Sequence, residues 1–421
     1  MKSKKTPKVV ISNGHYKFIL GTAAAELNSH GVLDLFITGG YPTGRFKKIV
    51  VFFKLKRFKL MNRFLRREEL IPDGLIRTLW ISELIIQFSA IVRKLTKTTK
   101  YSELIGDFGL RLYALNAVHH IKNSTGNIYH YRSGYGHESA KYAKEKGMLL
   151  ICDHSIAHPG ILNYLIENGG TLPNNDTACS MNKFWANVLR DLDYADYIIV
   201  NSNFVKSTFI NQGWDGSKVF VIYNGVDDEF MSVIPSRITP RDQTKPVNFL
   251  FAGEAGPRKG FEILISAFLR INDVPWSLKI IGEIDPALDK EAYLFFKDER
   301  VIYSRFMPRL DLAKEMSFAD VFVFPSLAEG SARVVSMAMA CGCYIITTPN
   351  SGSPAIDGVN GSIVPPGDIS LLEDAIRSAI KLSSENLDEV ASKNINLIKE
   401  NYTQKYYGEK LIALYSHLIN I

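Results

Sequence analysis

Residues 322–342 read Phe322-Val323-Phe324-Pro325-Ser326-Leu327-Ala328-Glu329-Gly330-Ser331-Ala332-Arg333-Val334-Val335-Ser336-Met337-Ala338-Met339-Ala340-Cys341-Gly342. An apolar strand stops at Pro-Ser, a Glu-Gly-Ser turn follows, and an apolar helix closes on Cys-Gly. A carboxylate therefore stands beside a helix N-terminus, at the carboxyl end of a buried strand. Ligands of open α/β sheets bind in that crevice, and free N–H groups at a helix start favour anions. N–H groups for phosphate and Glu329 for hydroxyls suit a phosphorylated sugar. A solvated glutamate before an ordinary helix is the competing reading.

The pattern around this stretch repeats. Val247–Gly253, Leu278–Gly282, Val301–Tyr303, Val321–Phe324 and Tyr344–Thr347 are short apolar runs. Helical spacing over Gly260–Ile271 and Leu310–Phe318 separates some of them. Such alternation predicts a parallel sheet covered on both faces, with right-handed connections. The first half repeats the theme in Val9–Ser12, Leu33–Thr38, Asn127–Tyr131, Met148–Asp153, Tyr197–Ser202 and Val219–Ile222. The expected fold class is α/β, with two Rossmann-like domains facing across a cleft. The expected boundaries are a first domain over 1–222, a linker over 223–246 and a second domain over 247–400. A C-terminal helix over 401–421 is expected to cross back to the first domain.

Composition agrees with a globular chain of two domains: 421 residues, 46% apolar and 22% charged. Cys152, Cys179, Cys341 and Cys343 form no CxxC pair and no zinc spacing, so reduced, buried thiols in a cytosolic protein are expected. No signal peptide is evident at the basic N-terminus. The apolar run Leu75–Val92 carries Arg77 and Glu83, which argues against a membrane span.

Four segments resemble family 4 glycosyltransferases of the two-Rossmann-domain (GT-B) type. They are Asp193–Ser202, Ile222–Asp227 (Ile-Tyr-Asn-Gly-Val-Asp), Gly253–Gly260 (Gly-Glu-Ala-Gly-Pro-Arg-Lys-Gly), and Phe324 through Gly342. The resemblance is close over residues 190–421 and loose before. It implies a retaining transfer from a nucleotide-diphosphate sugar (UDP or GDP) to a glycan or lipid-linked acceptor, with no metal and no cofactor. Glu329 is implied to bind the sugar ring, and His154 to touch the transferred sugar. Gly330, Ser331 and Ala332 would meet the donor. Arg258 and Lys259, in a glycine-flanked turn after a strand, would neutralise the diphosphate; a solvated basic turn is the alternative. Cations there oppose the helix dipole, which favours an anionic partner. Asp153, just before His154, and His158, on the next loop, are also assigned to the acceptor; for His154 a hydrogen-bonded loop histidine is equally open. Gly14, His15, His130 and Arg132 lie at or beside strand ends and are assigned to the acceptor by position. Two positions depart from the family pattern. Met337 stands where a second glutamate would hold the ribose, and a thioether is a poor acceptor for hydroxyls. Glu254 stands where an arginine is usual. Both leave room for a non-catalytic scaffold that binds a partner glycosyltransferase or a membrane.

Arg45–Arg67 holds ten Lys or Arg and no acid, more than the whole chain's surplus of seven positive charges. Aromatic and aliphatic residues are interleaved. An anionic membrane surface is the expected partner, which would place the protein in the cytoplasm, on the inner face of the plasma membrane. A solvated basic face competes. Nucleic acid is not expected, because no RNA or DNA motif accompanies the charge.

Overall fold

The computed structural model describes residues 5–96, 99–174, 181, 183–236, 244–286, 288 and 293–421. Cys179 and part of the expected linker (237–243) lie outside the described residues. The strands form one seven-stranded and one six-stranded parallel sheet. The first has β1 (Val9–Ser12), β2 (Leu33–Thr38), β3 (Ile76–Thr78), β4 (Ile128–Arg132), β5 (Leu149–His154), β6 (Tyr197–Val200) and β7 (Val219–Val221), in the order β3-β2-β1-β4-β5-β6-β7. The second has β8 (Val247–Ala252), β9 (Trp276–Ile281), β10 (Val301–Ser304), β11 (Val321–Phe324), β12 (Tyr344–Thr347) and β13 (Gly361–Ile363), in the order β10-β9-β8-β11-β12-β13. The strand order reverses beside β1 in one sheet and beside β8 in the other. Two crevices open there, between β1 and β4 and between β8 and β11.

Helices cover both faces. In the first domain they are α1 (Ile19–Ser29), α2 (Gly44–Phe52), α3 (Lys59–Leu65), α4 (Trp80–Thr96), α5 (Lys100–Lys122), α6 (His137–Glu145), α7 (Leu162–Glu167), α8 (Lys183–Asp193) and α9 (Asn203–Asn211). After α10 (Asp228–Ser232), the second domain has α11 (Phe261–Leu269), α12 (Arg309–Phe318), α13 (Arg333–Ala340), α14 (Ile369–Ile380) and α15 (Ser384–Asn401). The last helix, α16 (Gln404–Leu418), packs beside α1. Its Tyr407, Leu411 and Tyr415 are buried with Val9, Ile11 and Ile128 of the first sheet. The chain thus crosses between domains twice, and the crossings touch. Val226 N–H donates to the Tyr402 carbonyl at 2.8 Å. A Cβ on Gly225 would stand 2.2 Å from the Thr403 carbonyl oxygen. In the second core, Phe251 stacks on Phe324 with ring centroids 5.7 Å apart, which ties the two strands that carry the crevice.

The basic stretch is not one amphipathic helix. It folds as α2, a 3-10 turn at Leu55–Arg57, and α3. Phe46 and Phe64 pack on Trp80 at the start of α4, with ring centroids 5.2 and 5.3 Å away. Arg67 is committed to buried Glu83 at 2.6 Å, so not all ten cations face solvent. Among the described residues, no helix is long and apolar enough to cross a membrane. Cys152, Cys341 and Cys343 are buried thiols, and the last two donate to the Ala313 and Met316 carbonyls.

Candidate functional site

The loops after β8 and β11 lie side by side because their strands pair. Gly260 closes the first loop at φ 68°, and a Cβ there would stand 1.9 Å from the Pro325 carbonyl oxygen. Only glycine meets both demands. The loops then clasp: the Leu327 N–H and the Ser326 hydroxyl both donate to the Arg258 carbonyl, at 2.9 and 3.0 Å. This fixes Glu329 beside the two cations. Arg258 Nη1 lies 2.5 Å from Glu329 Oε1, and the Lys259 ammonium pairs with the same oxygen. Glu329 is buried. Burial lowers the Lys259 pKa, and the Glu329 charge opposes that shift. One carboxylate thus serves two cations, Lys259 largely buried and Arg258 about a third exposed, which an arriving anion could share. Glu254 is exposed, and its negative charge also reaches Lys259.

The turn after Glu329 leads into α13, whose first residue is Arg333 and which has no side-chain cap. Gly330 is buried and Ser331 half-buried. The Ala332 N–H already donates to the Ser351 carbonyl at 2.8 Å, so Ala332 has no N–H left for phosphate. Arg333 reaches Asp227 at 3.0 Å. Met337 is half-buried and packs against the second core.

The first domain brings β5 and β6 to the same place. A Cβ on Gly330 would stand 1.9 Å from the Ser155 carbonyl oxygen, so the residue after Glu329 touches the residue after His154. Ser202 donates to the Gly330 carbonyl at 2.5 Å, and Asn201 donates to the Ser155 carbonyl at 3.2 Å. His154 is buried, with Nδ1 2.9 Å from Ser133 Oγ. Its Nε2 is buried and makes no hydrogen bond of normal geometry, although the Ile156 and Ala157 backbone acts on the ring. Burial first, then Arg132, pulls the His154 pKa down to about 3, so the ring is neutral. Asp153 pairs with Arg132 at 2.6 Å. Burial raises the Asp153 pKa against that pairing.

At the end of β1, the Gly14 N–H donates to the Tyr113 hydroxyl at 3.0 Å. His15 lies 3.1 Å from Ser82 Oγ and edge-on to Tyr135, 5.2 Å between centroids. Burial pulls the His15 pKa to about 3. One acceptor assignment, that of His130, is corrected. His130 is fully buried, and its Nδ1 lies 2.6 Å from the Tyr415 hydroxyl of α16, so it faces the core and not the crevice. His158 is also buried, against Phe209, with Nε2 3.3 Å from the Trp214 indole nitrogen. That contact holds the loop.

Sequence reasoning gave no role to Asn201, Ser202, Asn350 or Asp227. Asn350 bonds the Gly170 carbonyl (2.6 Å) and the Leu327 carbonyl (2.7 Å), and so spans the two domains. Asp227 gathers Arg309 and Arg333 while capping α10 through the Phe230 N–H. Asn201-Ser202 after an apolar strand, and an aspartate just before a short helix, were the available signals.

Residues 246–381 match the family model described as Glycosyl transferases group 1. The capsular polysaccharide biosynthesis glycosyltransferase CapM of Staphylococcus aureus is 28% identical over 180 residues, 39% of this chain and 45% of that protein. The GDP-mannose-dependent alpha-(1-6)-phosphatidylinositol monomannoside mannosyltransferase of Mycolicibacterium smegmatis is 26% identical over 204 residues, 44% of this chain and 52% of that protein. The matches span about half the length of these relatives. Among solved structures, sucrose-phosphate synthase from Thermosynechococcus elongatus aligns with a TM-score of 0.63 at 15% identity, covering 98% of this chain and 99% of that one. HepE of Anabaena, in complex with UDP and glucose, aligns with a TM-score of 0.59 at 16% identity, covering 97% and 100%. The chain has the GT-B fold of these neighbours, and its second domain carries the glycosyl transferases group 1 segment.

Proposed function

We propose that this chain is a retaining, metal-independent glycosyltransferase of family 4. It moves a sugar from a UDP- or GDP-sugar to a glycan or lipid-linked glycan in surface polysaccharide assembly. The observation that carries the reading is the meeting of Glu329, Arg258 and Lys259 with the buried Nε2 of His154, through the Gly330–Ser155 contact. The names of the capsular and mannosyltransferase relatives, and UDP in the HepE structure, support the substrate class.

The chemistry follows from charge. A diphosphate arriving at Arg258 and Lys259 replaces Glu329 as their counter-ion and frees that carboxylate for sugar hydroxyls. As the diphosphate leaves, its growing negative charge meets cations already oriented in a poorly hydrated site. Neutral His154 offers Nε2 to a hydroxyl of the transferred sugar. The acceptor attacks from the face that the leaving group vacates, and a donor phosphate oxygen takes its proton. Arg132, Asp153, Gly14 and His15 line the acceptor side. The exposed cations of residues 45–67 face an anionic membrane at the cytoplasmic side. A thermal-shift screen of UDP- and GDP-sugars, followed by transfer assays with and without a chelator, tests this. Stabilisation by one nucleotide sugar and chelator-insensitive transfer are expected. Stabilisation without transfer would favour the non-catalytic scaffold, the reading that Met337 in place of a carboxylate supports.

A further inference from the structure

The exposed apolar side chains are not spread evenly. Among the described residues, 16 of the 33 exposed large apolar side chains lie between Ile49 and Leu115. Isolated exposed apolar residues are ordinary, but a contiguous set marks a contact surface. On α4, Ile81, Leu84, Phe88, Ile91 and Leu95 are each more than half exposed. At 100° per residue they fall within about 80° of the helix circumference. On α5, Tyr101, Leu104, Phe108 and Leu115 are 48–60% exposed and again share one stripe.

These stripes are left over after the hairpin has packed. The seam between α4 and α5 is made by small residues: Ser89 donates to the Ser102 carbonyl at 2.7 Å, and a Cβ on Gly109 would stand 2.9 Å from Ile86. The hairpin is fixed to the domain at its base. Buried Glu83 accepts the Gly40 N–H at 2.5 Å and pairs with Arg67, and Trp80 stacks on Phe46. The apolar face is therefore held rigidly outward.

We propose that the α4–α5 hairpin lies in the surface of an anionic bilayer, with its apolar stripes among the acyl chains. Charge selects this occupant over a second copy of the chain. Glu83, which is buried, is the only acid on α4, and α5 adds exposed Glu103 and half-buried Asp107, the latter paired with Lys183. Arg93 and Lys94 close α4 and Lys100 opens α5, all exposed and without an ion-pair partner among the described residues. Lys54, Lys56, Lys59 and Arg63 stand exposed nearby on the 45–67 segment. A twofold dimer through this face would bring like charges together, whereas anionic headgroups complement them. Phe108 and Arg111 of α5 also line a cavity of about 480 Å³ with Lys183 and Arg190 of α8, where Glu138 pairs with Arg111 and Asp107 with Lys183. Tyr135 forms part of the cavity wall, and its ring lies 5.2 Å from that of His15. This inference rests on the lipid-linked acceptor reading above.

Flotation with vesicles tests it and needs neither donor nor acceptor. The full chain should float with phosphatidylcholine–phosphatidylglycerol vesicles. The Ile81→Gln/Phe88→Gln/Leu95→Gln variant should bind at least tenfold more weakly while keeping its melting temperature. Phe88→Trp should show a blue-shifted emission quenched by brominated lipid. Unchanged binding of the triple variant, or no binding by the parent, overturns the proposal. So does a concentration-dependent dimer that the triple variant breaks, which would assign the face to a second copy. If vesicles bind but no nucleotide sugar does, the docking surface stands and the enzymatic reading falls.

Discussion

The two crevices sit at equivalent points of their sheets, yet they are equipped differently. Beside β8 and β11, two cations share one carboxylate. Beside β1 and β5, the titratable groups include histidines kept neutral by burial, with a buried nitrogen on each of His15 and His154 that makes no hydrogen bond of normal geometry. The charged side suits a ligand that brings negative charge and can displace Glu329. The neutral side suits hydroxyls, which need hydrogen bonds but no counter-ion. The division teaches that the binding steps at the two crevices should respond differently to salt, pH and charge reversal.

The largest expected effect breaks the charged side. Glu329→Ala should lower turnover by about 10²–10³-fold, the usual cost of losing a key polar contact in the transition state. The melting temperature should fall too, because Arg258 and Lys259 lose their shared counter-ion, and a diphosphate ligand should restore part of that loss. An unchanged kcat removes Glu329 from the site.

Acid tests the neutral side. His15 and His154 of the crevice, and His130 in the core behind it, are pulled from 6.5 to about 3 in the fold, so between those values the unfolded chain binds more protons. Their stabilising effect is complete above about pH 6.5 and is lost as pH falls, by about 1.4 kcal/mol per pH unit for each. Urea unfolding at pH 7, 6 and 5 should show a steepening decline. A flat profile would mean that these rings are solvated, and the contrast between the crevices would vanish.

Lys259→Ala sharpens the comparison. It should weaken nucleotide-sugar binding by about 1.5–3 kcal/mol, the range for a charged hydrogen bond. Calorimetry showing equal affinity would take the diphosphate away from this loop. The smallest effect belongs to Met337→Glu. At a half-buried position its carboxylate should reach the ribose and tighten nucleotide binding by about 1 kcal/mol. A lower melting point with no gain in affinity would instead assign the position to the core.

Legibility followed locality. The second crevice is built from two loops that each follow an unbroken apolar run, so its loops and charges could be read from local spacing. His130 shows where this stops. Alternation along β4 sends Tyr129 and Tyr131 to one face and Ile128 and His130 to the other. What covers the second face is Tyr415, from 285 residues later. No local pattern announces that partner. The edge strands β3 and β13 have three residues each, too few to show a period. On α4, the sequence shows an apolar run, but spacing alone cannot separate a buried stripe from an exposed one.

The return of α16 to the first sheet has a consequence for biosynthesis. The face holding Val9, Ile11 and Ile128 is covered by Tyr407, Leu411 and Tyr415. The first domain therefore cannot finish folding when its last strand leaves the ribosome. At about 5–20 residues per second, the chain from β7 to α16 takes on the order of 10–40 s to synthesise. During that interval the nascent first domain carries an open apolar face, a natural target for chaperones. Stalled chains ending near residue 400 should be cut rapidly by protease within residues 1–221, and chains extended past residue 421 should resist.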